Sequence, residues 1–298
     1  MIRNLKNCKH LFVLMLVLVI SGCDDDSGHN HDDHDHDVDA LTLDNCESSF
    51  GTGVDLFYST YFSCVDATIS GDNTVITSDN LPPYESWYYS ESNGNHIEYV
   101  SQGTGYYLNP NSISSQNLSV SIPDNPTSKG LTINEALVDG SVGTSADEYG
   151  MGPVGVALNG VALFNPLAAP PDDIEDEKYS FDYYSGHPTF DGTYHYHTTT
   201  KGPLEVLLEK GLIETATVGS AEVELYGMMC DGTVILGCTE LDGIAPDNSD
   251  FDAQNGHVHD IRDGNTTFFT DRYHTHICTD TFIEFKFTPE IQYYEGCN

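Results

Sequence analysis

Along most of the chain, apolar and polar residues alternate in short runs rather than recurring at helical spacing. Thr74 to Thr77, His96 to Val100, Asn117 to Ile122, Val154 to Leu163 and Gly192 to Thr199 each read as a strand, bounded by Gly, Pro, Asn or Asp. Asn159-Gly160 and Asp231-Gly232 are hairpin signals, the second between strands expected over Glu222 to Met229 and Thr233 to Leu236. A last strand is expected from Thr281 to Phe287, where Phe282, Glu284 and Lys286 alternate with Ile283, Phe285 and Phe287. The best helix candidate is Pro203 to Ala216, with Pro at its start and Leu204, Leu207, Leu208 and Ile213 near one face. Pro170 to Glu177 reads as an acidic surface loop. The pattern predicts a mainly β fold, a β-sandwich-like single domain over residues 46–298 with one or two short helices.

Two segments precede that domain. Over residues 1–22, Arg3, Lys6 and Lys9 lead into an apolar run from Leu11 to Ile20, the form of a signal peptide and too short for a comfortable membrane span. Ile20-Ser21-Gly22-Cys23 resembles the lipobox of bacterial lipoproteins, which implies lipidation of Cys23, a membrane anchor there, and an exported protein on the periplasmic face or cell surface. Residues 23–45 are rich in Asp, with His29, His31, His34 and His36 among them; such a segment buries too little apolar surface to fold and is expected to be a disordered tether.

Composition narrows the partners. With 10 Lys and Arg against 47 Asp and Glu, the net charge is −37, which repels nucleic acid and anionic headgroups and attracts cations. Of the 8 Cys, Cys8 lies in the leader and Cys23 in the lipobox-like segment. Cys46, Cys64, Cys230, Cys238, Cys278 and Cys297 remain, an even set that in an exported chain predicts disulfides of undetermined connectivity. Cys278 follows His274 and His276 at alternate positions, so a thiolate ligand is the other reading of that residue.

Candidate chemistry gathers on histidine. In an extended Tyr194-His195-Tyr196-His197, both imidazoles share one face and both phenols the other, so one face can present ligands while the other anchors the strand. Arg272-Tyr273-His274-Thr275-His276 repeats the arrangement. Each copy has the same lead-in: Phe181-Asp182-Tyr183-Tyr184-Ser185-Gly186-His187 and Phe251-Asp252-Ala253-Gln254-Asn255-Gly256-His257 agree at Phe, Asp, Gly and His. The second continues with Val258-His259. Two related half-sites follow, His187, His195 and His197 in one and His257, His259, His274 and His276 in the other, and seven such imidazoles suit a transition metal, zinc or copper in an exported protein. Asp182, Asp191, Asp252 and Asp260 are candidates to orient the imidazoles from behind.

The tetrapeptide at residues 194–197, with Gly152 to Val161 and Gly186-His187-Pro188 upstream, resembles the YHYH protein family. That resemblance, running from about Thr74 to Cys278, implies an exported β-rich domain and gives these histidines weight, but brings no settled reaction with it. Gly256-His257-Val258-His259-Asp260 also resembles part of the copper-zinc superoxide dismutase signature, without the downstream ligands that family needs. No His-Glu-x-x-His helix, Gly-x-Ser-x-Gly elbow or phosphate-binding Gly loop is present. The reading is an exported, lipid-anchored protein that binds zinc or copper through paired His-x-His strands. The alternatives are a hydrolytic or copper-redox metalloenzyme, and a disulfide-stapled adhesion or carbohydrate-binding module with a structural His/Tyr cluster, for which Tyr88, Tyr89, Tyr106 and Tyr107 would line the surface.

Overall fold

Alternation of buried and exposed side chains builds the first sheet. In the computed structural model, which describes residues 43, 46–141, 145–279 and 285–297, Leu118, Val120 and Ile122 of β4 (Leu118–Pro123) point into the core while Ser119 and Ser121 face solvent. The neighbouring β3 (Asn73–Ser78) buries Thr74 and Ile76 in the same way. Gly71, at φ +64°, makes the tight turn joining β3 to β2 (Asp66–Ser70), and β1 (Ser49–Phe50) lies parallel beyond it, giving the order β1-β2-β3-β4.

The second sheet carries the histidines. Its strands are β5 (Gly155–Ala157), β6 (Ala162–Leu163), β7 (Gly186–Pro188), β8 (Tyr194–Tyr196), β9 (Leu225–Met229), β10 (Val234–Leu236), β11 (Gly256–Asp263) and β12 (Thr266–His276). Their order, β11-β12-β10-β9-β5-β6-β8-β7, is the same pattern read outward from the centre twice. On each side an antiparallel pair turns at an Asn-Gly or Asp-Gly, and its second strand takes a parallel neighbour, β6 with β8 and β10 with β12. That neighbour closes an antiparallel pair with the outermost strand. The halves join through the antiparallel pair β5 and β9. Strands β5 to β10 are buried on both faces, which explains the nearly unbroken apolar runs of β5, β6, β9 and β10, and both sheets contribute to one hydrophobic cluster.

Three short α-helices, α1 (Leu56–Tyr61), α2 (Ile174–Glu177) and α3 (Lys201–Glu209), and the 3-10 turns Lys178–Ser180 and Asn248–Asp250 complete the described elements. Helix α3 starts earlier than Pro203 because the Thr200 hydroxyl caps the Gly202 amide, and it stops well short of Ala216 because Gly211 turns left-handed at φ +69°. The expected strand at His96 to Val100 is absent; only an isolated bridge links His96 to Ser86. The strand expected over residues 281–287 lies mostly outside the described residues, though Phe287 bridges Thr198. The leader, Cys23 and all of the acidic segment except Leu43 are also outside them. Tyr88 and Tyr89 are buried core residues, so they do not line a sugar-binding surface.

Six cysteines pair as Cys46–Cys64, Cys230–Cys297 and Cys238–Cys278, which settles the connectivity and takes Cys278 out of the reckoning as a ligand. Three disulfides are consistent with an exported protein. Among the described residues no helix is long and apolar enough to cross a membrane.

Candidate metal centres

The duplicated lead-in folds twice into the same turn. In the first copy the Asp182 carboxylate accepts from the amides of Tyr184 (2.9 Å) and Gly186 (3.4 Å), while its own amide donates to the Gly186 carbonyl at 2.8 Å. In the second, Asp252 accepts from Gln254 (3.0 Å) and Gly256 (2.9 Å) and donates to the Gly256 carbonyl at 2.9 Å. Ser185 and Asn255 both sit at φ 56°. Each turn feeds a strand that opens Gly-His, and pairing sets His187 opposite His195 and His257 opposite His274.

The same two aspartates reach across to the neighbouring strand. Tyr194 donates its hydroxyl to Asp182 at 2.7 Å, and Tyr273 does so to Asp252 at 2.7 Å, so these carboxylates bind the anchoring phenols and not the imidazoles. Burial pushes Asp182 up to about 6 in spite of those donors. Phe181 and Phe251 complete the correspondence: Phe181 stacks on His197 and meets His187 edge-on, as Phe251 does with His276 and His257.

In the first centre three imidazole Nε2 atoms converge. His195 Nε2 lies 3.1 Å from that of His187 and 2.9 Å from that of His197, and all three rings are buried. Their other nitrogens are spoken for: His195 Nδ1 meets the Thr193 carbonyl at 3.0 Å, His197 Nδ1 the Asn165 carbonyl at 2.6 Å, and His187 Nδ1 the Ser180 hydroxyl at 2.7 Å. A carbonyl oxygen can only accept, so the ring hydrogens of His195 and His197 sit on Nδ1. Their Nε2 atoms then face each other as bare lone pairs. Double protonation is opposed, since burial, reinforced by the neighbouring rings, holds His187 and His195 well below the usual histidine range, and burial lowers His197 to about 4. Two buried acceptors 2.9 Å apart without a hydrogen between them call for a cation.

The second centre repeats this with a carboxylate added. His274 Nδ1 donates to the Arg272 carbonyl at 3.0 Å and His276 Nδ1 to the Gly237 carbonyl at 2.9 Å, while His257 Nδ1 is held by Asp250 at 3.0 Å. Their Nε2 atoms surround Glu240, at 3.2 Å for His257, 3.2 Å for His274 and 3.5 Å for His276. His274 Nε2 and Glu240 Oε1 are buried without any hydrogen-bond partner, orphans that a bound ion would satisfy. In a tetrahedral zinc site with bonds of about 2.0–2.1 Å, ligand atoms stand about 3.3 Å apart. The shortest separations here, 2.9 to 3.5 Å, bracket that spacing, and the donor atoms of each centre all lie within 4.8 Å of one another.

Other candidates fall nearby in different roles. His259 is half-exposed and stands apart from the three histidines around Glu240, grouping instead with Asp250, at 3.2 Å, and His257 in a third set of donors that could hold an ion. Asp191 accepts from the hydroxyls of Thr189 and Thr193, which lower its pKa and tie the β7–β8 turn. Asp260 accepts the Asp271 amide at 3.0 Å. Sequence reasoning missed Glu240 and Asp250. Neither lies in the repeated pattern, and a lone carboxylate among 47 gives no signal. It also missed Glu177, whose carboxylate stands 3.9 Å from His187 Nε2 and is pushed up to about 7 by burial and by Asp172.

The family model described as YHYH protein matches residues 119–242, a narrower span than the resemblance suggested; it takes in the whole first centre and Glu240 but stops short of the other histidines of the second. No curated protein and no solved structure matches the chain.

Proposed function

Starting from a chain whose residues 119–242 match the YHYH protein family, we propose that it binds two transition-metal ions, one in each half of the large sheet, as an exported protein anchored by lipid on Cys23. One ion lies among His187, His195 and His197, and the other among His257, His274, His276 and Glu240. The observation that carries this reading is the 2.9 Å approach of His195 and His197 Nε2, two acceptors whose hydrogens are committed to carbonyls on the far side of each ring. Zinc or copper suits the imidazoles, and three histidines with a glutamate is a donor set that zinc accepts in tetrahedral form. With all six domain cysteines in disulfides, no thiolate competes.

Elemental analysis of the purified domain, after equilibration with zinc or copper(II) and removal of excess, is expected to give two ions per chain, falling to one in His195→Ala. A folded wild-type domain that takes up neither metal sinks the reading. For the anchor, detergent phase partition is expected to place the expressed full chain in the detergent phase and Cys23→Ser in the aqueous phase; equal partition of the two would remove the lipid.

A further inference from the structure

The two centres are built alike but close differently. Asn165 and Gly237 are equivalent, each following the β-hairpin of its half and each accepting the Nδ1 hydrogen of the last histidine. Three residues beyond Gly237 comes Glu240, the fourth donor of the second centre; three beyond Asn165 comes Ala168, which has none to offer. In place of a carboxylate, the first centre has a cleft of about 470 Å³ with His187, His195 and His197 in its wall. The cleft beside the second centre is lined by Glu240 and His259 and not by the three converging imidazoles.

Resting on the two-ion reading above, we propose that the first centre keeps one coordination position for an outside ligand: a small neutral molecule that gives a lone pair to the ion and an N–H or O–H to Glu177. Geometry separates Glu177 from a ligand of the ion. It is 3.9 Å from a single imidazole nitrogen, whereas Glu240 lies within 3.5 Å of three. The remaining walls select the ligand's character. Phe164, stacked on His195 with centroids 3.8 Å apart, and Leu167 are apolar, while Asp172, Glu177 and Asp191 are acidic. Carboxylates repel an anion and accept hydrogens, and the volume exceeds what water needs. Three histidines with one exchangeable position is the arrangement of metal sites that bind and activate a ligand, and four protein ligands that of sites that only hold structure.

Cobalt(II), which takes zinc's place and reports its coordination in the visible spectrum, allows a test with two probes: imidazole, which keeps an N–H after binding, and 1-methylimidazole, which does not. Imidazole is expected to change the spectrum of one of the two bound cobalt ions and to bind about 10-fold tighter than 1-methylimidazole, the effect of one hydrogen bond. The response should vanish in His195→Ala and persist in His274→Ala, and Glu177→Ala should erase the difference between the probes while keeping both ions. Two bound cobalt ions with no response to imidazole overturn the open position while leaving the two-ion reading intact. Absence of bound cobalt overturns both. Loss of one ion in Glu177→Ala, or a response to imidazole in that variant alone, would make Glu177 a ligand and overturn the proposal.

Discussion

Two glycines carry much of the construction at the scale of single residues. Gly186 and Gly256 open the His strands at positions where an added Cβ would run into the rings of Tyr194 and Tyr273. Neither phenol is free to retreat, because each is fully buried and hydrogen-bonded to Asp182 or Asp252. Gly186→Ala and Gly256→Ala are each expected to lower stability by about 1–3 kcal/mol through overpacking, read as a drop in the thermal midpoint of the circular dichroism signal. A midpoint unchanged in both would mean the phenols are not held where they are described. At this scale the sequence spoke clearly for some groups and not for others. Alternation of His with Tyr announced which face would carry ligands, and the repeated Phe, Asp, Gly and His announced a second copy. The backbone carbonyls of Thr193, Asn165, Arg272 and Gly237, which fix the imidazole hydrogens, have no letter of their own. The aspartates of the lead-in were legible as important, but their partners are the tyrosines, because a side chain that caps its own turn points to the strand's anchoring face.

Among the elements, strands with strict alternation, such as β3 and β4, were readable, as were the Asn-Gly and Asp-Gly hairpins. His96 to Val100 has alternation too, yet it pairs with nothing beyond one bridge, since a strand exists only where a neighbour supplies the other half of the ladder. Pairing also decides how the second centre is held together. Glu240 is not on a strand; it follows β10 on a segment fixed at Cys238, whose disulfide to Cys278 joins it to the chain just past His276. The amide of Cys238 is further tied to Glu224 at 2.8 Å. Replacing both cysteines, Cys238→Ser with Cys278→Ser, is expected to loosen Glu240 from the three imidazoles and to cost the second ion, about 10–100-fold in affinity, with the first ion unaffected. Metal titration of the double variant measures this; equal weakening at both centres would show that the disulfide supports the whole sheet instead.

Viewed as one molecule, the large sheet is two four-stranded halves joined at β5 and β9, and the halves are not equal in what their ions would tie together. The first centre draws on β7 and β8, neighbours already joined by their own ladder. The second draws on β11 and β12, likewise joined by their own ladder, and also on the Glu240 segment after β10, which the long-range parallel pairing of β10 with β12 brings to them. A fourth protein ligand also binds its ion more tightly, and an ion stabilises the fold in proportion to the logarithm of its concentration over its dissociation constant. Stepwise addition of a chelator is therefore expected to remove the ion at His187, His195 and His197 first, with little change in thermal midpoint, and the ion at Glu240 only later, with a fall of several degrees. The two events are told apart by repeating the titration on His195→Ala, which should show only the later one. Simultaneous loss of both ions, or a fall in midpoint that accompanies the first, would mean that the two halves hold their metals with equal grip and that the missing carboxylate at Ala168 makes no difference to the fold.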